Sequence, residues 1–364
     1  MKHILLITPF VPSQLGAGVN YSRQLIEELS KENLIDIVLF RSKMEAEYIA
    51  PNLNVRILKE YGISKMKKLI HAGCLFVFFP LFTAKFSFFV LFYLKSLIKK
   101  KHYDFVYFDF SQMFLYAKFL NHGNKILMSH DVIAQRYSRG YNKYISKFCS
   151  YTEKFVLSTS SVNIFTFSEK DSELLQDLYG IKSSPTTFYL SNNVKNAYPD
   201  SIKDYFVFFA MWGRNDNYEG LDWFIEHVMP KCELFNFKII GAGLNDRLKN
   251  KIALLKNVDY LGFVDNPYPI IADAKALISP LFTGAGVKVK VIDALACGTP
   301  IIGTSVSFEG ISDRYSDFMF LAKNDLDFLD IIESINIPLA KRIAFKNDFI
   351  SNYDDKSIVR FING

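Results

Sequence analysis

The chain has 364 residues, half of them hydrophobic and 22% charged, enough for two domains at roughly 100–200 residues each. That composition excludes a disordered or fibrous chain. The formal net charge of +6 and pI near 8.8 suit a small anionic ligand or an anionic membrane surface, and are weak evidence for nucleic acid, which usually brings a clustered basic face. The 35 Phe and 20 Tyr make the chain greasy for a cytosolic enzyme. A mean hydropathy of +0.10 is nevertheless too polar for a multi-span membrane protein. Cys74, Cys149, Cys232 and Cys297 lie far apart with no CxxC pair, so no zinc ribbon or disulfide framework is readable.

The opening MKHILLITPF is too short for a signal-peptide core and reads as a first buried strand. Apolar runs then recur between turn residues. They are DIVLF, DFVYFDF, KILMSHD and NIFTFS in the first half, and YFVFFAM, FKIIGAG, DYLGFV, KALISPL and TPIIGTS in the second. Stretches with helical spacing separate them, for example Tyr21–Leu29, Leu221–Val228 and Val289–Ala296. Such alternation predicts parallel sheets covered on both faces. The polar stretch Leu190–Lys203 reads as a linker, with a new strand from Tyr205.

The expectation is an α/β chain of two Rossmann-like domains facing a central cleft. The first is 1–198, with a C-terminal helix of about 345–364 packing back on it; the second is 199–344. Residues 65–101 stand apart, because an aromatic stretch is flanked by Lys65, Lys67 and Lys68 and by Lys95, Lys99, Lys100 and Lys101. Pro80, Lys85 and the two basic flanks argue against a membrane span. Two readings stay open: a long helix pair buried against the sheet, or an element lying on anionic lipid.

Glycines follow three strands as GAG: Gly16 and Gly18, Gly241 and Gly243, Gly284 and Gly286. None completes GxGxxG, so no NAD fingerprint is present. Gly241 and Gly243 read as a structural turn. Gly284 and Gly286 lead into a helix bearing Lys288, Lys290 and Asp293. Cations beside a glycine turn at a helix start make a diphosphate cradle, and a carboxylate one turn on can accept two ribose hydroxyls. The alternative is a surface i,i+3 ion pair between Lys290 and Asp293. Asp325 with Asp327, and Ser168 with Asp171, read as helix caps. No serine-hydrolase, zinc-protease or P-loop motif occurs, and the six His lack metal-ligand spacing.

The run PLFTGAGVKVKVIDALACGTPIIGT resembles the donor-site signature of family-4-type glycosyltransferases with the GT-B fold, of the kind used in bacterial surface polysaccharide synthesis. TPFVPSQLGAGVNYSRQL, SHDVIAQRYSR, FTFSEKD, YLSNNV and WGRNDNYEGLDWF match in order. The resemblance implies transfer from a nucleotide-diphosphate sugar to a glycan or lipid-linked acceptor with retained configuration. It implies no metal and no cofactor beyond the sugar nucleotide.

By the same resemblance, Arg214 is the donor-phosphate arginine. Glu219 stands where a lysine is usual, so Lys290, with Lys288 as second choice, supplies that cation. Asp293 stands for the ribose-binding Glu, while the first acid of the paired-Glu signature is replaced by TGAG. His130 stands for the histidine beside the reacting carbon of the sugar; its other reading is a satisfied histidine at a strand end. Asp131 reads as a cap of the next helix. Gly16 and Gly18 would floor the cleft beside donor and acceptor. His130, Arg214 and Lys290 are the expected catalytic set. A nucleotide-sugar 2-epimerase or a non-catalytic partner of an active transferase remain alternatives. The expected location is cytoplasmic, or peripheral on the inner face of the cell membrane.

Overall fold

The computed structural model describes all residues except Leu15, Met44, Tyr141, Asp354 and Asp355, and all described side chains except those of Lys65, Lys68, His71, Ala72 and Cys74. Two compact units result, Met1–Tyr189 with Asp355–Gly364, and Leu190–Asp354.

The first unit holds a seven-stranded sheet: β1 (His3–Thr8), β2 (Leu34–Arg41), β3 (Val55–Gly62), β4 (Phe105–Asp109), β5 (Lys125–Ser129), β6 (Val162–Thr166) and β7 (Ser184–Pro185). The order is β3-β2-β1-β4-β5-β6-β7. β1 pairs in parallel on both sides, Ile4 lying opposite Ile35 and Phe105. With helices on both faces, Ile4, Leu5, Leu6 and Ile7 are all fully buried. The edge strand β3 is not among the predicted strands. Its VRILKEYG carries charges that pair sideways, Arg56 to Asp36 and Glu60 to Arg41, so it lacks the apolar run of an inner strand.

The second unit holds β8 (Phe206–Phe209), β9 (Phe237–Ile240), β10 (Val258–Gly262), β11 (Leu277–Ser279), β12 (Ile301–Gly303) and β13 (Met319–Leu321), ordered β10-β9-β8-β11-β12-β13. Both sheets reverse strand order at one place, between β1 and β4 and between β8 and β11. Ligands of doubly wound sheets bind at the carboxyl ends of such strands.

The boundary between the units lies nearer the N-terminus than 198. Residues Leu190–Lys203 are no bare linker, because the helix Asn192–Asn196 buries Val194 beside Tyr205, Leu277 and Ile301 in the second core. The helix Leu339–Asn352 also stays with the second unit. Phe345 stacks on Phe318 at 3.7 Å. Arg342 and Lys346, both fully buried, donate to backbone carbonyls: Arg342 to those of Gly298 and Ala274, Lys346 to those of Val194 and Ala296. The stretch that goes with the first unit is Asp355–Gly364, whose helix Ser357–Asn363 buries Ile358 and Ile362 and accepts from Asn33 at Asn363 at 2.8 Å, while Lys356 pairs with Glu28.

Residues 65–101 form three short helices, Lys65–Cys74, Pro80–Thr83 and Phe88–Lys100. This differs from a long helix pair buried against the sheet. The last helix buries Val90, Leu91 and Leu94 on one face and leaves Phe88, Phe89 and Phe92 exposed on the other. The first leaves Met66, Leu69 and Ile70 exposed. Lys85 turns inward, its Nζ donating to the Pro9 carbonyl and lying 3.7 Å above the Phe10 ring. Among the described residues, no helix is long and apolar enough to cross a membrane.

Candidate functional site

In the first unit the polar groups gather at the carboxyl ends of β1, β4 and β5. Asp109 closes β4 and is buried. Its carboxylate accepts from Thr8 Oγ at 3.3 Å, Ser22 Oγ at 2.5 Å and His130 Nε2 at 2.7 Å. The His130 ring lies flat on Phe110, with centroids 3.6 Å apart and planes 6° apart, and the edges of Tyr21 and Phe167 enclose it. Phe110 adopts φ +60°, a left-handed conformation costly for a bulky residue. A Cβ on Gly18 would sit 2.8 Å from the Phe110 ring and 3.0 Å from His130 Nδ1, so glycine there admits the stack. In the neutral ring the Nε2 proton goes to Asp109, leaving Nδ1 as an acceptor on the Gly18 side. Gly16, at φ +96°, precedes the helix Ala17–Leu29.

Asp131 does not cap the helix Ile133–Gly140; it pairs with Arg136. The cap is Glu153, buried, which accepts from the N–H groups of Ile133 at 2.8 Å and Ala134 at 3.0 Å and from Tyr179 Oη at 2.8 Å. Burial pushes its carboxyl up to about 7 against those hydrogen bonds. Glu153 therefore ties the segment after His130 to the helix Lys143–Leu157.

In the second unit the loops after β8 and β11 meet. Arg214, mostly exposed, immediately precedes the helix Asn215–His227 and grips Asp216 with two hydrogen bonds of 3.1 and 2.9 Å. Gly220 lets that helix lie against Pro280, where a Cβ would collide with the carbonyl. Gly284 and Gly286 both take positive φ in the loop before the helix Val289–Ala296. Lys288 is buried, donating to the Gly286 carbonyl at 2.6 Å, with Glu309 at 3.9 Å.

Lys290 donates to Asn217 Oδ1 at 2.9 Å. Burial lowers its ammonium to about 7; Asp216 opposes that shift, while Lys288 and Arg214 add to it. Burial would raise Asp216, but Arg214 and Lys290 hold it below the usual carboxylate range. Arg214, Asp216, Asn217, Gly284, Lys288 and Lys290 thus form one cluster at the strand-order reversal. Asp293 stands apart from Lys290, with no ion pair between them. It is buried, accepts from Tyr268 Oη at 3.3 Å, and burial pushes it up to about 7. Glu219 is exposed.

Ser168 and Asn324 cap their helices by accepting from the N–H groups of Asp171 and Asp327, which accounts for both short acidic motifs. Among the described residues, no group of three or more His, Cys, Asp or Glu is placed to hold a metal ion. Sequence reasoning passed over Asp109, Glu153, Asp216 and Asn217. A polar residue ending a central strand was the available signal for Asp109, and adjacency to Arg214 was the signal for the last two.

Residues 203–335 match the family model for glycosyl transferases group 1. An uncharacterised 44.6 kDa protein of the Klebsiella pneumoniae cps region is 29% identical over 159 residues, which span 39% of this chain and 41% of that protein. Similar solved structures cover the whole chain at low identity. Sucrose-phosphate synthase from Thermosynechococcus elongatus has a TM-score of 0.70 at 13% identity, covering 100% of this chain and 98% of that one. Anabaena HepE with UDP and glucose scores 0.67 at 11%, covering 100% of both. A variant of S. aureus TarM with fondaparinux, α-GlcNAc-glycerol and UDP scores 0.68 at 13%, covering 100% and 99%. The match to glycosyl transferases group 1 thus lies within the second unit, in a chain whose two parallel sheets have the GT-B glycosyltransferase fold.

Proposed function

We propose that the protein transfers a sugar from a nucleotide-diphosphate sugar to a glycan or lipid-linked acceptor with retained configuration. The observation that carries this reading is the gathering of Arg214, Lys288 and Lys290 around the glycine loop at the ends of β8 and β11, inside the region matched by the group 1 model. Lys290 has its charge destabilised by burial, and a diphosphate would restore it. As the sugar–phosphate bond loosens toward an oxocarbenium-like state, negative charge grows on the departing diphosphate. The three cations and the loop N–H groups meet that charge, with no metal in the reading. Losing one such contact typically costs about 10²–10³ in rate. Asp293 takes the ribose hydroxyls, and His130, held by Asp109 beside Gly16 and Gly18, lies against the transferred sugar. The UDP and sugar bound to HepE and the UDP and GlcNAc-glycerol bound to the TarM variant support this class of donor and acceptor. The cationic, aromatic face of residues 65–101 supports, in this reading, a peripheral position on an anionic inner membrane surface.

A thermal-shift panel of UDP-, GDP-, TDP- and ADP-sugars tests the donor site. A ligand at 100 times its Kd adds about 2.7 kcal/mol to stability. Product NMR then reads the anomeric configuration. Binding without transfer or hydrolysis would favour the non-catalytic partner, for which the Arg214–Asp216 pairing and the exposed Glu219 speak. Epimer formation would favour the 2-epimerase.

A further inference from the structure

The helix Phe88–Lys100, the connecting residues Leu75, Phe78 and Phe86, and the helix Phe114–Phe119 line an apolar groove of about 260 Å³ in the first unit. Phe86, Leu91 and Leu115 form its buried floor, and the exposed Phe88 and Phe92 form its rim. Among the described residues, Lys95 is the only charged one in the lining. Around it Met66, Leu69, Phe76, Val77 and Phe89 are exposed, Phe89 by 86%.

The charge around the groove is one-sided. From Tyr61 to Tyr103 the sequence has no Asp or Glu and eight Lys. Of these, Lys85 is buried and Lys101 is paired with Asp36. Lys67, Lys95, Lys99 and Lys100 have no carboxylate partner among the described residues. A second copy docked by two-fold symmetry would set these lysines against one another, which disfavours a dimer through this face. An anionic lipid offers a hydrocarbon chain to the groove and a headgroup to Lys95 together.

The groove is also built onto the proposed sugar site. Lys85 precedes Phe86 of its floor and lies over the Phe10 ring; Phe10 packs edge-on against Phe110 at 5.1 Å, and Phe110 carries His130. Leu115 follows Phe110 by five residues in the same connection.

We infer that this groove takes up a single hydrocarbon chain of an anionic lipid, with Lys95 at the headgroup, so that the lipid is bound one molecule at a time and is not merely touched as a surface. The inference rests on the proposed contact with an anionic membrane and is separable from it, because a groove binds a monomeric lipid and a purely interfacial face needs a bilayer.

The experiment titrates the full chain with lauroyl lysophosphatidylglycerol below its critical micelle concentration by calorimetry. Parallel co-sedimentation uses phosphatidylglycerol–phosphatidylcholine vesicles. One-to-one saturable binding is expected. Lys95→Glu should weaken it by about fivefold or more, since one lysine near an anionic lipid contributes about that factor. Leu75→Trp, which fills the groove from a half-buried lining position, should abolish it. UDP-sugar binding by the second unit controls for folding of that unit, and an unchanged unfolding midpoint for the first. Vesicle binding without monomer binding overturns the groove and leaves the membrane reading standing. No binding to either overturns both. Monomer binding that both variants leave intact places the lipid elsewhere and overturns the inference.

Discussion

His130 Nε2 lies 2.7 Å from the Asp109 carboxylate, and Asp109 is itself held by Ser22 and Thr8. The ring is clamped by this contact and by the flat stack on Phe110, so one nitrogen is committed to Asp109 and the other faces Gly18. His130→Ala should lower kcat by about 10²-fold or more while donor Kd moves only a few-fold, because the contact matters most as the sugar flattens. Asp109→Asn should fall between the two. Steady-state rates beside donor titrations check this; a kcat within a few-fold of wild type for His130→Ala would make the histidine structural.

Lys290→Ala should weaken nucleotide-diphosphate binding by about 1–3 kcal/mol, the range for a charge-assisted hydrogen bond to a charged group. The nucleoside monophosphate should lose much less. Calorimetry with both ligands decides it; an unchanged diphosphate affinity shifts the role to Lys288.

Donor affinity should also depend on pH in a fixed direction. The unliganded Lys290 titrates near 7, and a diphosphate binds its charged form, so binding raises that value. Affinity is then full below about pH 7 and falls above it, by at most about tenfold per pH unit. Lys290→Arg, always charged, should flatten the profile between pH 6 and 8.5.

Glu153 and Asp293 both sit near 7 in the fold, above their unfolded values. The folded state therefore binds more protons than the unfolded chain between about pH 4 and 7. Stability from these groups is present at the acid end and is lost as pH rises to about 7, at no more than about 1.4 kcal/mol per unit for each group. Glu153→Gln should remove its share of that slope in urea unfolding from pH 5 to 7.5. An unaltered slope would show that Glu153 is ionised across the range.

Lys99→Glu with Lys100→Glu should release the chain from anionic vesicles by roughly 30-fold, at about 1 kcal/mol for each lysine. High salt should act in the same direction. Lys101 is left out of the pair because its ammonium is 3.2 Å from the buried Asp36 and serves the fold. Co-sedimentation with anionic and neutral vesicles reads the result.

How much of this was legible varies with how local the signal is. The helix Val289–Ala296 and the inner strands announce themselves through uninterrupted apolar runs, and the glycine loop with its lysines lies within a few residues of sequence. β3 was hidden because an edge strand half-covered by charged side chains loses that run. Glu153 was invisible because its partners are N–H groups about twenty residues earlier, and an isolated Glu within a helix reads as a solvent-facing residue. The pairing of Lys290 with Asn217 in place of Asp293 depends on the first turns of two helices meeting across 73 residues of sequence. No helical spacing could show it.

Arg342 and Lys346 have a consequence for where the chain can be cut. Their ammonium and guanidinium groups satisfy four carbonyls that lie on either side of the second sheet's connections, from Val194 to Gly298. A fragment trimmed to the family match at 203–335 would discard both side chains and one of those carbonyls. It would also bare the apolar surface that Phe345 and Phe349 cover. The piece to exchange between chimeras, or to express alone, is Leu190–Asp354, whose last helix is a part of the domain's wall and not a tail attached to it.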